Sequence, residues 1–142
     1  MKAVKPIKIT LHDGRKVTYI GESKNGFAYG KGKMIFEDRS YEIGEYYKND
    51  PNGPIRYYNE YGTLISESHY KFGMLNGSQI EYDVDIDHSI TSIKNYVDDK
   101  LDGISISFSL CDDISISKYK NGKEIAKITL NSSLDLIDEY KI

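Results

Sequence analysis

The chain has 142 residues, a length typical of one domain, with 39% hydrophobic residues and a net charge of −3 at pH 7. No apolar run approaches the roughly 18 residues that a membrane-spanning helix needs, and a single cysteine, Cys111, excludes an internal disulfide framework. The first 33 residues carry eight Lys or Arg against two acids, whereas 81–113 carries nine acids against two lysines. This mostly acidic balance argues against a nucleic-acid partner, which needs a basic face.

Two turn signals recur along the chain. Residues 5–11 predict a first strand, which turns at His12-Asp13-Gly14 in a type I′ geometry and returns over 16–22. After this hairpin, one slot holds Asn25-Gly26, Asn49-Asp50, Phe72-Gly73, Asp98-Asp99 and Asn121-Gly122, and a second slot holds Gly30, Gly53, Gly77 and Gly103. The glycines of the second slot are 23, 24 and 26 residues apart. A period in this range indicates a repeat architecture.

The later repeats show the clearest strand pattern. Ile104, Ile106, Phe108 and Leu110 alternate with serines, which predicts a half-buried strand followed by a turn at Cys111-Asp112-Asp113. Residues 123–130 predict one more strand. Ser132 resembles a helix cap, with Leu134 and Ile137 one turn apart, so we expect a short helix or coil to cap the last repeat.

These elements predict an all-β fold, a meander of consecutive antiparallel β-hairpins with a short C-terminal cap. We expect a single domain over 1–142, with an N-terminal hairpin or cap over 1–16, the repeats over 17–125, and a last strand and cap over 126–142. The N-terminus lacks the apolar stretch of a secretory signal, and this feature together with the lone cysteine predicts a cytoplasmic protein.

The repeat resembles a known family. Tyr19-Ile20-Gly21-Glu22 followed by Asn25-Gly26 and Gly30-Lys31-Gly32 resembles the MORN repeat (membrane occupation and recognition nexus), as does the stretch over 44–53. Residues 70–77 and 119–123 are similar to a bacterial variant of it, which includes proteins labelled antitoxins or immunity-type partners of toxins. The resemblance covers about 17–125. It implies an elongated, twisted antiparallel sheet and a role as scaffold, membrane-associated module or protein binder.

Residues that carry chemistry are sparse. The three histidines have no metal-ligand spacing, and Asp112 and Asp113 beside Cys111 would raise rather than lower the pKa of its thiol. The stretch Asp83-Val84-Asp85-Ile86-Asp87 looks like the start of a calcium loop, but His88 and Lys94 stand where glycine and glutamate are required. We therefore expect no enzyme, no metal and no cofactor.

The first functional hypothesis is a non-catalytic protein-binding module, of the kind that antitoxin or immunity proteins use to occupy a partner. Tyrosines concentrate in the second repeat, and an acidic stretch would suit a basic partner, although the same carboxylates would also serve solubility. The expected partner-binding residues are Tyr46, Tyr57, Tyr58, Tyr61, Asp83, Asp85, Asp87, Asp98, Asp99 and Asp102.

The second hypothesis is a membrane-proximal or self-assembling scaffold module. Eight Lys or Arg within the first 33 residues could meet anionic lipid headgroups, or could meet the acidic later part of another copy. The net acidity of the rest of the chain opposes membrane contact, so this hypothesis is the alternative to the first.

Overall fold

A computed structural model describes residues 4–85 and 87–141. All regular secondary structure in these ranges consists of β-strands. The strands are β1 (Ile7–Thr10), β2 (Lys16–Lys24), β3 (Phe27–Ile35), β4 (Tyr41–Tyr47), β5 (Asp50–Tyr58), β6 (Leu64–Lys71), β7 (Met74–Tyr82), β8 (Ile90–Val97), β9 (Lys100–Leu101), β10 (Gly103–Phe108), β11 (Ile114–Lys120), β12 (Lys123–Leu130) and β13 (Leu136–Lys141). Over the described ranges, no helix has the length and apolar character that a membrane crossing requires.

The chain divides into two compact units, Met1–Met74 and Leu75–Ile142. In the first unit, β1 to β6 pair in chain order, and every pair is antiparallel. In the second, β7 pairs with β8, β8 with β10, and β10 to β13 follow in order, while the short β9 pairs with β8. The predicted all-β meander of consecutive hairpins is therefore confirmed.

One end of each hairpin closes through a two-residue turn in which both residues have positive φ, the geometry of a type I′ turn. These turns are Asn25-Gly26, Lys48-Asn49, Phe72-Gly73, Asp98-Asp99 and Asn121-Gly122. Four of the five pairs are those predicted. In the second repeat the prediction of Asn49-Asp50 is wrong by one residue, because Lys48 has a φ of 49° while Asp50 already begins β5.

The other end closes through longer loops. Between β1 and β2 the N–H of Leu11 donates to the carbonyl of Arg15 at 2.9 Å, and only Gly14 of this loop has positive φ. The predicted type I′ turn at His12-Asp13-Gly14 is therefore wrong, because five residues allow a type I turn followed by one left-handed residue. The loop between β7 and β8 contains Ile86, which lies outside the described residues.

The second turn slot marks a repeated kink in the strands. Gly30, Gly53, Gly77 and Gly103 all have positive φ, and each lies opposite a tyrosine of the next strand: Tyr46, Tyr70, Tyr96 and Tyr119. Only glycine adopts this backbone without strain, which explains why it recurs at the period read from the sequence.

The core of the first unit consists of Ile9, Val17, Tyr19, Ala28, Met34, Tyr46 and Ile55. Tyr19 is fully buried and donates a hydrogen bond of 3.3 Å to the carbonyl of Tyr29. Its ring packs on Gly32, where any side chain would overlap it. Burial raises the pKa of the Tyr19 hydroxyl to about 12.

In the second unit the apolar positions shift by one residue relative to the repeat glycine. In the first unit the apolar side chains are two and four residues after the repeat glycine, as Ile55 and Tyr57 are after Gly53. In the second unit an apolar side chain is three residues after it, as Ile106 is after Gly103. Ile80, Ile93, Ile106, Ile116 and Ile128 form one cross-strand row. Leu110, which was predicted to share this face, lies beyond β10 and is 88% exposed.

The C-terminal segment differs from its prediction. We expected a short helix or coil over 132–138; the helix is not formed, because a turn at 131–135 leads into β13, which pairs with β12. The side chain of Asn131 accepts the N–H groups of Ser133 and Asp135, at 3.0 and 2.9 Å. The predicted strand over 123–130 coincides with β12.

Candidate protein-binding surface

The four tyrosines predicted to bind a partner lie in three different environments. Tyr61 projects from the loop between β5 and β6 and is 84% exposed. Tyr58 is half-buried and stacks on Tyr41 with ring centroids 4.9 Å apart, and Tyr57 contacts the ring of Phe36 at 6.3 Å. Only Tyr61 therefore offers most of its side chain to solvent.

Tyr46 is a core residue and is 3% exposed. Its ring makes an edge contact with Tyr19 at 5.4 Å, and its hydroxyl donates to the carboxylate of Glu42 at 3.0 Å. Burial raises the pKa values of both the Tyr46 hydroxyl and the Glu42 carboxyl. These contacts give Tyr46 a packing role that the density of tyrosines in the sequence did not reveal.

The acidic loop between β7 and β8 holds three of the predicted residues. Asp83 accepts the N–H of Asp85 at 2.8 Å, and Asp87 accepts the N–H of Ser89 at 3.0 Å. Hydrogen bonds from the side chain and backbone of Ser89 hold the pKa of Asp87 below its usual value. Asp85 and Asp87 are exposed, so this loop carries accessible negative charge.

Of the other three predicted acids, Asp98 and Asp99 form a type I′ turn and Asp102 lies between β9 and β10, and all three bind groups at or next to a neighbouring turn. Asp99 accepts the N–H of Leu75 at 2.6 Å, and Asp98 accepts from the side chain of Asn76 at 2.9 Å. Asp102 accepts the N–H of Asn121 at 3.1 Å and lies 3.7 Å from the ammonium group of Lys120. These carboxylates connect successive hairpins, a structural role that sequence spacing alone did not indicate.

One set of aromatic rings in the first unit was not predicted from the sequence, and we call it the aromatic row: the half-buried Tyr29 and the exposed Tyr47 and Phe72. Tyr47 makes edge contacts with Tyr29 at 5.3 Å and with Phe72 at 5.5 Å, so three successive hairpins contribute to one patch. Tyr47 is 42% exposed and Phe72 is 57% exposed. Phe72 was recognised only as a turn position, although its aromatic character there was the available signal.

Three exposed lysines lie in or next to the type I′ turns of the first unit. Lys24 precedes the first type I′ turn, Lys48 begins the second and Lys71 precedes the third, and all three are exposed. The ammonium group of Lys48 lies 5.7 Å from the centre of the Tyr47 ring, within the range of a cation–π contact. The patch is thus apolar at its centre, with positive charge from Lys48 and negative charge from Asp50, which pairs with Tyr47, at its margin.

Within residues 4–85 and 87–141, no group of three His, Cys, Asp or Glu side chains could hold a metal ion. Cys111 is an exposed thiol in the loop between β10 and β11. Comparison with protein-family models and with curated proteins finds no match to this chain.

Proposed function

We propose that the protein is a non-catalytic module that binds another protein through the aromatic row of its first unit. The observation that carries this proposal is Phe72. It begins a type I′ turn with a φ of 46°, at a position where the other turns have Asn25, Lys48, Asp98 and Asn121. A left-handed conformation costs a non-glycine residue about 1–2 kcal/mol, and short polar side chains tolerate it best.

An aromatic side chain at such a position is unfavourable for the turn and is 57% exposed. Backbone strain that persists in a folded protein is a reason to look for function at that residue. Exposed aromatic side chains are also the residues that most often anchor protein interfaces, where a few of them supply most of the binding energy. The neighbouring rings of Tyr47 and Tyr29 extend this anchor into a patch.

We further propose that the repeats are divergent MORN repeats and that the protein acts in antitoxin or immunity style, by occupying its partner. The resemblance of 70–77 and 119–123 to the bacterial variant supports this assignment, as does the recurrence of the glycine and tyrosine pairs. Occupation of a partner needs only a rigid surface with a few anchors.

The test compares protein captured from the native source by the wild type, by Phe72→Asn and by Asp98→Asn, with quantitative mass spectrometry. Both substitutions place Asn at the first position of a type I′ turn, so the folds remain comparable. We expect the partner to be retained by the wild type and by Asp98→Asn but lost with Phe72→Asn. The protein encoded beside this chain is the first candidate to examine.

The variants also separate the aromatic row from the acidic residues predicted at first. If Asp98→Asn loses the partner and Phe72→Asn keeps it, the aromatic row is not the binding surface. If neither variant changes a captured partner, both surfaces are excluded as its binding site. A growth assay with the co-expressed partner then tests the immunity role, because Phe72→Asn should abolish protection.

A further inference from the structure

The second unit contains a groove of about 530 Å³ over β10 to β13. Its apolar surface comes from Ile104, Ile116 and Ile128, and Ala126 lies among them. Ala126 pairs with Lys118 on one side and with Lys141 on the other, so a small side chain stands between two long ones. This difference in side-chain length makes the depression.

The charge of the groove is opposite to that of its surroundings. Residues 75–142 contain seven lysines and thirteen Asp or Glu, a net charge of −6. Lys118 and Lys141 line the groove on the face of Ala126, whereas Glu139, which pairs with Ile128 on the same face, is the one acid among its lining residues. Neither Lys118 nor Lys141 forms an ion pair with any of the described residues.

From this arrangement we propose that the groove binds a small amphiphilic anion, a carboxylate that carries an unbranched apolar chain. The carboxylate lies between Lys118 and Lys141, and the chain lies over Ile104, Ile116 and Ile128. The volume falls within the roughly 300–1,000 Å³ range of small-molecule sites, which are mostly apolar with a few polar groups that fix orientation. This site is in the second unit and does not depend on the aromatic row.

Calorimetric titration with monomeric decanoate, below its micelle concentration, tests the proposal. We expect one decanoate per chain, and an affinity about tenfold higher than that of octanoate, because each buried methylene contributes about 0.8 kcal/mol. Decyltrimethylammonium has the same chain with the opposite charge, and we expect it to bind at least tenfold more weakly. Equal binding of the two ions would overturn the proposal.

Two kinds of variant locate the site. Ala126→Ile fills the depression with a strand-forming residue, and Lys118→Gln with Lys141→Gln removes the charge without altering the floor. Both should weaken decanoate binding at least tenfold, whereas Lys123→Gln, an exposed lysine outside the groove, should not. If Ala126→Ile does not fold, the lysine pair alone decides the outcome.

Vesicles provide the last arm of the experiment. Binding to vesicles of anionic lipid without binding to monomeric decanoate would overturn the proposal and indicate a membrane surface instead. Decanoate binding that is unchanged in both groove variants would likewise overturn it, because the ion would then bind elsewhere.

Discussion

Asn49 and Ala28 exchange two hydrogen bonds, which join the second type I′ turn to the start of β3, just after the first turn. The N–H of Asn49 donates to the carbonyl of Ala28 at 3.1 Å, and the N–H of Ala28 donates to the side-chain oxygen of Asn49 at 2.8 Å. Asp99 makes the same pair of bonds with Leu75 in the second unit. Because Ala28 is fully buried, Asn49 satisfies a polar group that water does not reach.

The first prediction concerns this pair. Asn49→Ala should lower the free energy of unfolding by about 2 kcal/mol, because it orphans the N–H of Ala28 and places alanine at a φ of 74°. Asn49→Gly keeps the backbone freedom and loses only the acceptor, so it should cost about 1 kcal/mol. Asn49→Asp keeps both the side-chain acceptor and the tolerance of positive φ, so its free energy of unfolding should be nearly that of the wild type. Urea denaturation measures the series, and an alanine variant as stable as the aspartate variant would contradict it.

The second prediction concerns the stability of the proposed anchor. Phe72→Asn gains a residue suited to the left-handed conformation and loses the edge contact with Tyr47, two effects of about 1 kcal/mol each. We therefore expect thermal unfolding to be unchanged or to shift upward slightly. A loss of several kcal/mol would mean that Phe72 is needed for the fold, and the strain argument for a binding role would then fail.

The sequence predicts the turns well because turn chemistry is local. The Asn-Gly turns and Asp98-Asp99 adopt positive φ through their own local chemistry, and Gly30 or Gly53 marks a kink without reference to distant residues. The C-terminal segment was misread for the opposite reason. Leu134 and Ile137 have helical spacing, but pairing of β13 with β12 satisfies the backbone as a strand, and tertiary pairing overrides a short local pattern.

The candidate site was only partly predictable because exposure depends on packing in three dimensions. Tyr46 and Tyr47 are adjacent in sequence, yet Tyr46 is 3% exposed and Tyr47 is 42% exposed. The sequence prediction named Tyr46 and not Tyr47, because only the register with neighbouring strands shows which of the two rings is exposed. Similarly, Asp99 and Asp102 contribute to an acidic stretch in sequence but bind backbone N–H groups in the structure.

A third prediction uses the close packing of Tyr19 on Gly32. Gly32→Ala places a methyl group where the Tyr19 ring lies, so the variant should lose about 1–3 kcal/mol of stability through overpacking. Gly26→Asn is a suitable control, because a type I′ turn accepts Asn and no atom lies near that position. Denaturant unfolding of both variants tests the difference. Equal stability would show that the sheet relaxes around the added methyl.

A fourth prediction concerns pH, with two glutamates of opposite behaviour. Burial raises the pKa of Glu42, so its ionised form is less favourable in the folded protein than in the unfolded chain. Glu42 therefore lowers the free energy of unfolding as pH rises through its raised pKa and the carboxyl ionises. Glu42→Gln should be more stable than the wild type at neutral pH, and this advantage should disappear in acid.

Glu81 provides the contrast. Hydrogen bonds from Ser92 and Lys94, at 2.5 and 2.9 Å, lower the pKa of the Glu81 carboxyl. The stabilisation by ionised Glu81 is therefore present above the pKa of the unfolded chain, and it is lost as pH falls through the lowered pKa of the folded protein. Glu81→Gln should therefore lose stability at neutral pH and converge with the wild type in acid. Unfolding curves across the acid range distinguish the two variants, and profiles of the same sign would contradict these assignments.

The last prediction concerns Ser105 in β10, whose buried hydroxyl oxygen has no hydrogen-bond partner among the described residues. A buried hydroxyl without a partner costs free energy, so Ser105→Ala should raise the stability by up to about 1 kcal/mol. Ser115 is the matched control, since its hydroxyl lies 3.3 Å from that of Thr129 across the β11–β12 pair. Ser115→Ala breaks that contact and should be neutral or destabilising. If both alanine variants lose stability equally in thermal unfolding, the Ser105 hydroxyl has a hydrogen-bond partner in solution. Burial of this hydroxyl then does not destabilise the fold.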